Sequence, residues 1–190
     1  MKKEKVLVII AHPDDELIWM GGLLLENKNN WDTIIISLCR REDKDRAPKF
    51  FKACQEYQAK GFMSDLEDEN LKPISLEEIK GRIQEFADGE FDYIFAHGKN
   101  GEYGHIRHIE IHSAVKEMLL NNKLRAKKVF FFSYLKNNKY AYPNKNADKF
   151  INLKREIFLI KKKIIMNIYG FQKNGFEEKT CGDAEAFDIE

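Results

Sequence analysis

The chain has 190 residues, 43% of them hydrophobic and 33% charged, with a formal net charge of +1. That length and apolar content fit one domain with a sizeable core and exclude a disordered chain, and the near-neutral charge removes the simplest argument for nucleic-acid binding. No apolar run approaches the roughly 20 residues of a membrane span.

The opening MKKEKVLVII is basic and then apolar, as a secretory leader is, but its apolar run leads straight into acids with no small-residue cleavage site. It reads instead as a first strand from Val6 to Ile10, apolar throughout, as expected for a parallel strand covered on both faces. Helical sequence follows from about Asp15 to Asn27, and DTIIISL, Asp32 to Leu38, reads as a second strand. RAPKFFKACQEYQAKG, beginning at Arg46, reads as a helix stopped by Gly61. Ser75 with Glu78 makes a capping box that opens another helix, which Gly89 stops. FDYIFA is a strand, HIRHIEIHSAVKEMLL a helix and KKVFFFSYL a strand. A long amphipathic helix comes next, with Phe150, Leu153, Ile157, Ile160, Ile164 and Ile168 on one face. This alternation predicts a single α/β domain over 1–190, a Rossmann-like three-layer sandwich with a mostly parallel sheet. Cys39, Cys54 and Cys181 are odd in number, far apart and lack a CxxC, so neither a disulfide framework nor a cysteine zinc site is expected, and a reducing cytoplasm is the default.

In open α/β sheets ligands bind at the carboxyl ends of the strands. His12, Asp14 and Asp15 follow the first strand, and Cys39, Arg40, Arg41 and then Arg46 follow the second. HGKNGEYGHIRH follows FDYIFA. His12, His97, His105 and His108 therefore fall at one sheet edge, with His112 one turn further into its helix. Acids at the start of a helix suit its positive dipole end, which explains Asp14, Asp15 and Glu16 but none of the histidines. A bound cation explains both. A catalytic zinc takes three protein ligands and keeps one position for water. His12 and Asp15 sit three residues apart across a tight turn, and His105, His108 and His112 share one helical face. Spacing alone leaves open which of those histidines are ligands.

AHPDDE together with GEYGHIRHIEIH resembles the PIG-L/LmbE family of zinc-dependent N-acetyl-sugar deacetylases. SLCRREDKDRAPKFFKAC resembles that family's strand-two loop and Arg-led helix, and EAF, Glu185 to Phe187, its Glu-x-Phe ending. The resemblance implies metal-dependent removal of acetyl from a small N-acetylated amino sugar or glycoconjugate. It assigns His12, Asp15 and His108 as ligands, Asp14 as general base, and His105, as a cation, to the substrate carbonyl. Arg46 stands at a family position suited to binding acetate or sugar oxygens, the plainer reading being a salt bridge on the helix surface. Tyr103, in the NGEYGH loop, reads as an oxyanion helper or a gate, and equally as a packing residue. Zinc is the implied ion, and Fe2+ is also compatible; a homo-oligomer is compatible too. One departure stands out: the family has His-Pro-Asp-His where this chain has His-Ile-Arg-His, so Arg107 is expected to bring a positive charge near the site and alter which substrate is accepted.

Plainer readings apply to other residues. Glu16 reads as an ordinary first-turn acid, His112 as a hydrogen-bonded packing residue, and His97 as either site wall or loop. The lysines of LKREIFLIKKKII read as a solvated face. Two histidines and a carboxylate also suit a non-haem Fe(II) oxygenase, although His-x-x-Asp on an α/β frame weighs against it. HIEIH lacks the Glu that a zinc protease places directly after its first histidine. A non-catalytic metal-binding module is the remaining alternative.

Overall fold

In the computed structural model, which describes residues 2–87 and 89–190, the chain begins β1 (Glu4–Ile10), α1 (Asp15–Asn27), β2 (Trp31–Cys39), α2 (Arg46–Glu56) and β3 (Lys60–Leu66). It continues α3 (Leu76–Gln84), β4 (Glu90–Ala96), α4 (Gly101–Gly104), α5 (Ile106–Leu120) and β5 (Arg125–Phe132). It finishes β6 (Tyr134–Asn137), β7 (Tyr140–Pro143), β8 (Lys149–Asn152), α6 (Arg155–Asn167), α7 (Phe176–Thr180) and β9 (Ala184–Ile189). The seven-stranded sheet has the order β3-β2-β1-β4-β5-β9-β8. The first five of these strands are parallel, while β9 and β8 pair antiparallel at one end.

The apolar run of β1 is explained by a helix layer on each side. Val6, Val8 and Ile10 pack with α1, α2 and α6, while the alternate Leu7 and Ile9 pack with α3 and α5. This is the three-layer α/β sandwich expected from the sequence. Winding proceeds outward from β1 through β2 to β3, then restarts on the other side with β4. The strand order therefore reverses between β1 and β4, where an α/β sheet opens a crevice at its carboxyl edge.

Helix α1 is broken at Met20, whose φ/ψ of −147°/16° is not helical. Side chains answer four of the backbone groups around the break. The Glu185 carboxylate accepts from the Gly22 and Leu23 N–H groups at 2.7 and 3.0 Å. The Lys161 ammonium donates to the Ile18 carbonyl and to Glu185, and the Tyr134 hydroxyl donates to the Trp19 carbonyl. Lys161 and Glu185 are wholly buried. The Glu185 of the C-terminal EAF thus caps the second half of the helix that begins beside the candidate site.

Several expectations are corrected. The second helix ends at Glu56, and Gly61 lies inside β3. A Cβ there would sit 2.9 Å from both Phe50 Cε1 and Cys54 Sγ, so the glycine serves helix-on-strand packing, not a helix stop. The strand expected over Lys127–Leu135 ends at Phe132, and the chain turns into the separate β6–β7 hairpin. Phe150 is in β8 and Leu153 precedes α6; Ile160 is 42% exposed, so the apolar face of α6 is narrower than its spacing suggested. Ser75 does cap α3, accepting from Glu78 N–H at 3.2 Å, although that helix ends at Gln84, before Gly89.

Candidate active site

The first motif is a turn built by its own residues. His12 O accepts from Asp15 N–H at 3.2 Å, with Pro13 and Asp14 at the corner. Asp14 has φ 119° and ψ −25°, near the third position of a type II turn, where glycine is usual. A non-glycine residue there carries roughly 1–3 kcal/mol of strain and persists only when its surroundings hold it. Here Arg46, the first residue of α2, donates to Asp14 Oδ2 at 2.6 Å, and the Asp14 N–H donates to Glu16 Oε2 at 3.1 Å.

The turn and α5 bring three donor atoms together. His12 Nδ1 lies 3.2 Å from Asp15 Oδ2 and 3.3 Å from His108 Nε2, and His108 Nε2 lies 3.4 Å from Asp15 Oδ2. The far nitrogen of each imidazole meets a carboxylate: His12 Nε2 faces Asp68 Oδ1 at 2.9 Å, and His108 Nδ1 faces Glu102 Oε2 at 2.5 Å. Assigned from these partners, both rings carry their proton on the outer nitrogen, which turns three lone pairs toward one point. Asp15 is itself fixed, its Oδ1 accepting from the Trp19 indole at 2.8 Å and its Oδ2 from His12 N–H at 2.8 Å.

The other histidines fall into different roles. His97 Nε2 accepts the Ala11 N–H at 2.9 Å and its Nδ1 donates to Glu102 at 2.9 Å, so its lone pair is used. Burial would lower its pKa, and Glu102 and Asp15 pull it up to about 9. The Ala11 N–H needs an acceptor, however, and fixes the neutral ring. His112 donates to the His97 carbonyl at 2.9 Å and packs on Phe131, as the packing reading had it. His105 is the odd one: its ring is 4.7 Å from that of His12 and 4.8 Å from that of His108, and its buried Nδ1 has no partner. Burial and the two neighbouring imidazoles push its pKa down to about 4, which favours the neutral ring and not the cation the sequence reading expected.

The carboxylates are tuned in opposite directions. Asp15 is held well below the usual range because, against its burial, His108, His12 and His97 surround it. Asp14 is pushed up to about 7 by burial and by Asp15, with Arg46 opposing. Glu16, read from sequence as an ordinary first-turn acid, is wholly buried against Tyr169 at 2.6 Å, and burial lifts it to about 8. Cys39 also lies near His12 and Asp68, but burial holds its thiol in the protonated form, a poor ligand.

Beside these groups opens a cavity of about 330 Å³. Trp19, Tyr103, Phe176 and Leu71 supply its apolar walls, while Asp14, Arg46 and His105 reach it as polar groups. Arg46 thus stands at the site, as expected, but in contact with Asp14, its guanidinium stacked 4.5 Å over Phe171. Arg41 pairs instead with Asp65 and Glu42 away from the cavity, and Arg40 holds Asp68. Arg107 is corrected most: it is wholly buried, outside the cavity, and its charge is spent on Glu67 and Glu110. Two carboxylate partners of the site histidines were missed in the sequence, Asp68 and Glu102. Glu102 stood inside the GEYG motif as a possible signal, whereas Asp68 lies in an acidic stretch, DLEDEN, that carries no spacing signal.

Comparison with known proteins follows the same lines. No curated protein sequence matches the chain at a significant level. Among solved structures, the N,N'-diacetylchitobiose deacetylase of Pyrococcus horikoshii superposes with a TM-score of 0.72 at 17% identity, over 98% of this chain and 84% of that one. The conserved protein TT1542 of Thermus thermophilus gives 0.68 at 17% identity over 97% and 94%. GalB, the 4-carboxy-2-hydroxymuconate hydratase of Pseudomonas putida, gives 0.65 at 14% identity over 94% and 82%. These likenesses establish the fold. The sequence profile described as PIG-L, GlcNAc-PI de-N-acetylase, matches residues 7–119, more than half of the chain and both histidine motifs. The chain belongs to the PIG-L family of de-N-acetylases.

Proposed function

We propose that this protein is a zinc-dependent hydrolase that removes acetyl from an N-acetylated amino sugar or glycoconjugate, with His12, Asp15 and His108 holding the ion. The observation that carries this reading is the triangle of donor atoms with sides of 3.2, 3.3 and 3.4 Å. A tetrahedral ion about 2.0–2.1 Å from each ligand needs ligand separations of about 3.3–3.4 Å. Lone pairs converging this way repel unless a cation lies among them. The carboxylates on the outer imidazole nitrogens are also the usual supports of metal-bound histidines.

When bound, zinc supplies a water acidified to a pKa of about 7 and a Lewis acid for the amide carbonyl. Asp14, beside Asp15 and facing the cavity, takes the proton of the attacking water and later delivers it to the leaving amine. Arg46 holds the Asp14 carboxylate in place and counters the charge of Asp15. His105, which lines the same pocket, donates a ring N–H to the oxygen that gains charge as the carbon becomes tetrahedral. Tyr103, Trp19 and Phe176 present aromatic faces to the sugar. The C–N bond breaks, giving acetate and a free amine. Three free, buried cysteines suit a reducing cytoplasm.

The same fold carries a hydratase in GalB, so fold alone does not choose the reaction. The family match and the acid–metal arrangement together favour amide hydrolysis. Zinc-loaded protein incubated with N-acetylglucosamine, diacetylchitobiose and larger conjugates is expected to release acetate and primary amine in equal amounts. Oxygen uptake with a 2-oxo acid, in the absence of any amine release, would replace this reading with the oxygenase.

A further inference from the structure

Arg107 stands between the two histidines of the second motif, on the inner face of α5, and is wholly buried. A buried guanidinium needs acceptors for its five N–H donors. Four come from one short segment and from the next turn of α5. Nε donates to Glu67 O at 2.5 Å, and Nη2 to Glu67 Oε2 at 2.8 Å and to Lys72 O at 2.6 Å. Nη1 donates to Glu110 Oε2 at 2.5 Å, and the other oxygen of Glu110 accepts from Ile74 N–H at 3.0 Å. One side chain therefore grips both ends of the strap from Glu67 to Lys72.

The strap reaches the site between those two grips. Asp68 meets His12 Nε2 at 2.9 Å and receives Arg40 Nη2 at 2.8 Å on its other oxygen. Leu71, in the left-handed region at φ 51°, lines the cavity. A leucine there is strained, so the strap does not hold this shape by local preference. We propose that Arg107 is a positioning residue: by clamping Glu67 and Lys72 it keeps Asp68 on His12, fixing the proton on Nε2 and the lone pair on Nδ1. The departure from His-Pro-Asp-His thus acts through the strap and not through a positive charge presented to the site. It orders a metal-site partner and a cavity wall and does not meet substrate. An aspartate at 107 could not do this, having no donor for the two carbonyls.

The proposal rests on the metal-site reading only for its effect on zinc; the tautomer of His12 tests it in the metal-free protein. Imidazole ¹⁵N shifts of wild type are expected to show His12 protonated on Nε2, and Arg107→Met to convert it to a mixture of tautomers. Zinc affinity, from competition with a chelating dye, is expected to fall about 10- to 100-fold in Arg107→Met and in Asp68→Ala, the usual weight of such a partner. If Arg107 acts through Asp68, the double variant binds zinc no more weakly than Asp68→Ala alone. Glu67→Ala removes the side-chain half of one grip, leaving the Glu67 carbonyl, and serves if Arg107→Met does not fold; a several-fold loss is expected there. An unchanged His12 tautomer in both clamp variants would overturn the proposal, as would losses that add in full in the double variant. A tautomer that changes while zinc affinity stays constant would uphold the clamp and reject His12 as a ligand.

Discussion

Asp14 combines a backbone conformation that its residue type disfavours with a carboxylate held between Asp15 and Arg46. A glycine would make the same turn at less cost, so what aspartate adds at this position is its carboxylate. Asp14→Asn is expected to leave zinc binding intact and to lower turnover by roughly 10²-fold or more, the usual weight of a general base; steady-state rates beside metal content would check both halves. Because Arg46 touches Asp14, Arg46→Ala is expected to lower kcat as well as raise KM, and a change in KM alone would make it purely a substrate contact. The two motif histidines should part company. His108→Ala is expected to lose metal and activity together, whereas His105→Ala keeps the metal and loses kcat; the inverse pattern would exchange their roles. His12, Asp15 and His108 stand in two sequence motifs, and the structure brings their donor atoms together; spacing alone did not choose His108 over His105, and only the family resemblance did. Asp68 was not legible, because this partner of His12 comes from a loop 56 residues away and no periodicity records it, whereas Glu102 lay six residues before His108 inside the GEYG motif and was passed over.

At the scale of elements, the break in α1 shows how a site helix is anchored. The bend at Met20 leaves N–H and C=O groups that the helix would otherwise satisfy, and the buried Lys161–Glu185 pair, with Tyr134, takes them up. Removing one partner of a buried ion pair typically costs about 3–5 kcal/mol. Glu185→Ala is therefore expected to lower unfolding stability by about that amount in urea titrations. Replacing both members, Lys161→Met with Glu185→Leu, should not restore it, because the Gly22 and Leu23 N–H groups would still lack an acceptor. Full recovery would mean the carboxylate acts only as a counter-ion. The long apolar strands and the capped α3 were legible from composition and caps. The edge strand β3, the β6–β7 hairpin and β9 were not: each is short or partly polar, and its pairing with distant residues decides its state. Gly61 misled for the same reason, since its use is close packing against α2, which local sequence does not display.

For the whole molecule, the sheet order places the carboxyl ends of β1 and β4 side by side, and so joins a motif near the start of the chain to one about 90 residues later. The alternating pattern made that architecture legible from the sequence, while the antiparallel end strands became visible only in the fold. An ion held as proposed by the β1 turn and α5 would tie the two halves of the winding together, so zinc is expected to raise the melting temperature by mass action, and chelation to reverse the rise. Among the described residues no helix is long and apolar enough to cross a membrane. The most direct measurement is a titration of metal-stripped protein with zinc, following acetate release from an N-acetylglucosamine conjugate. The account predicts no release without metal, a rise in proportion to zinc bound, and a plateau at about one ion per chain. Release that is independent of zinc, or none at any loading across a panel of N-acetyl sugars, would contradict it.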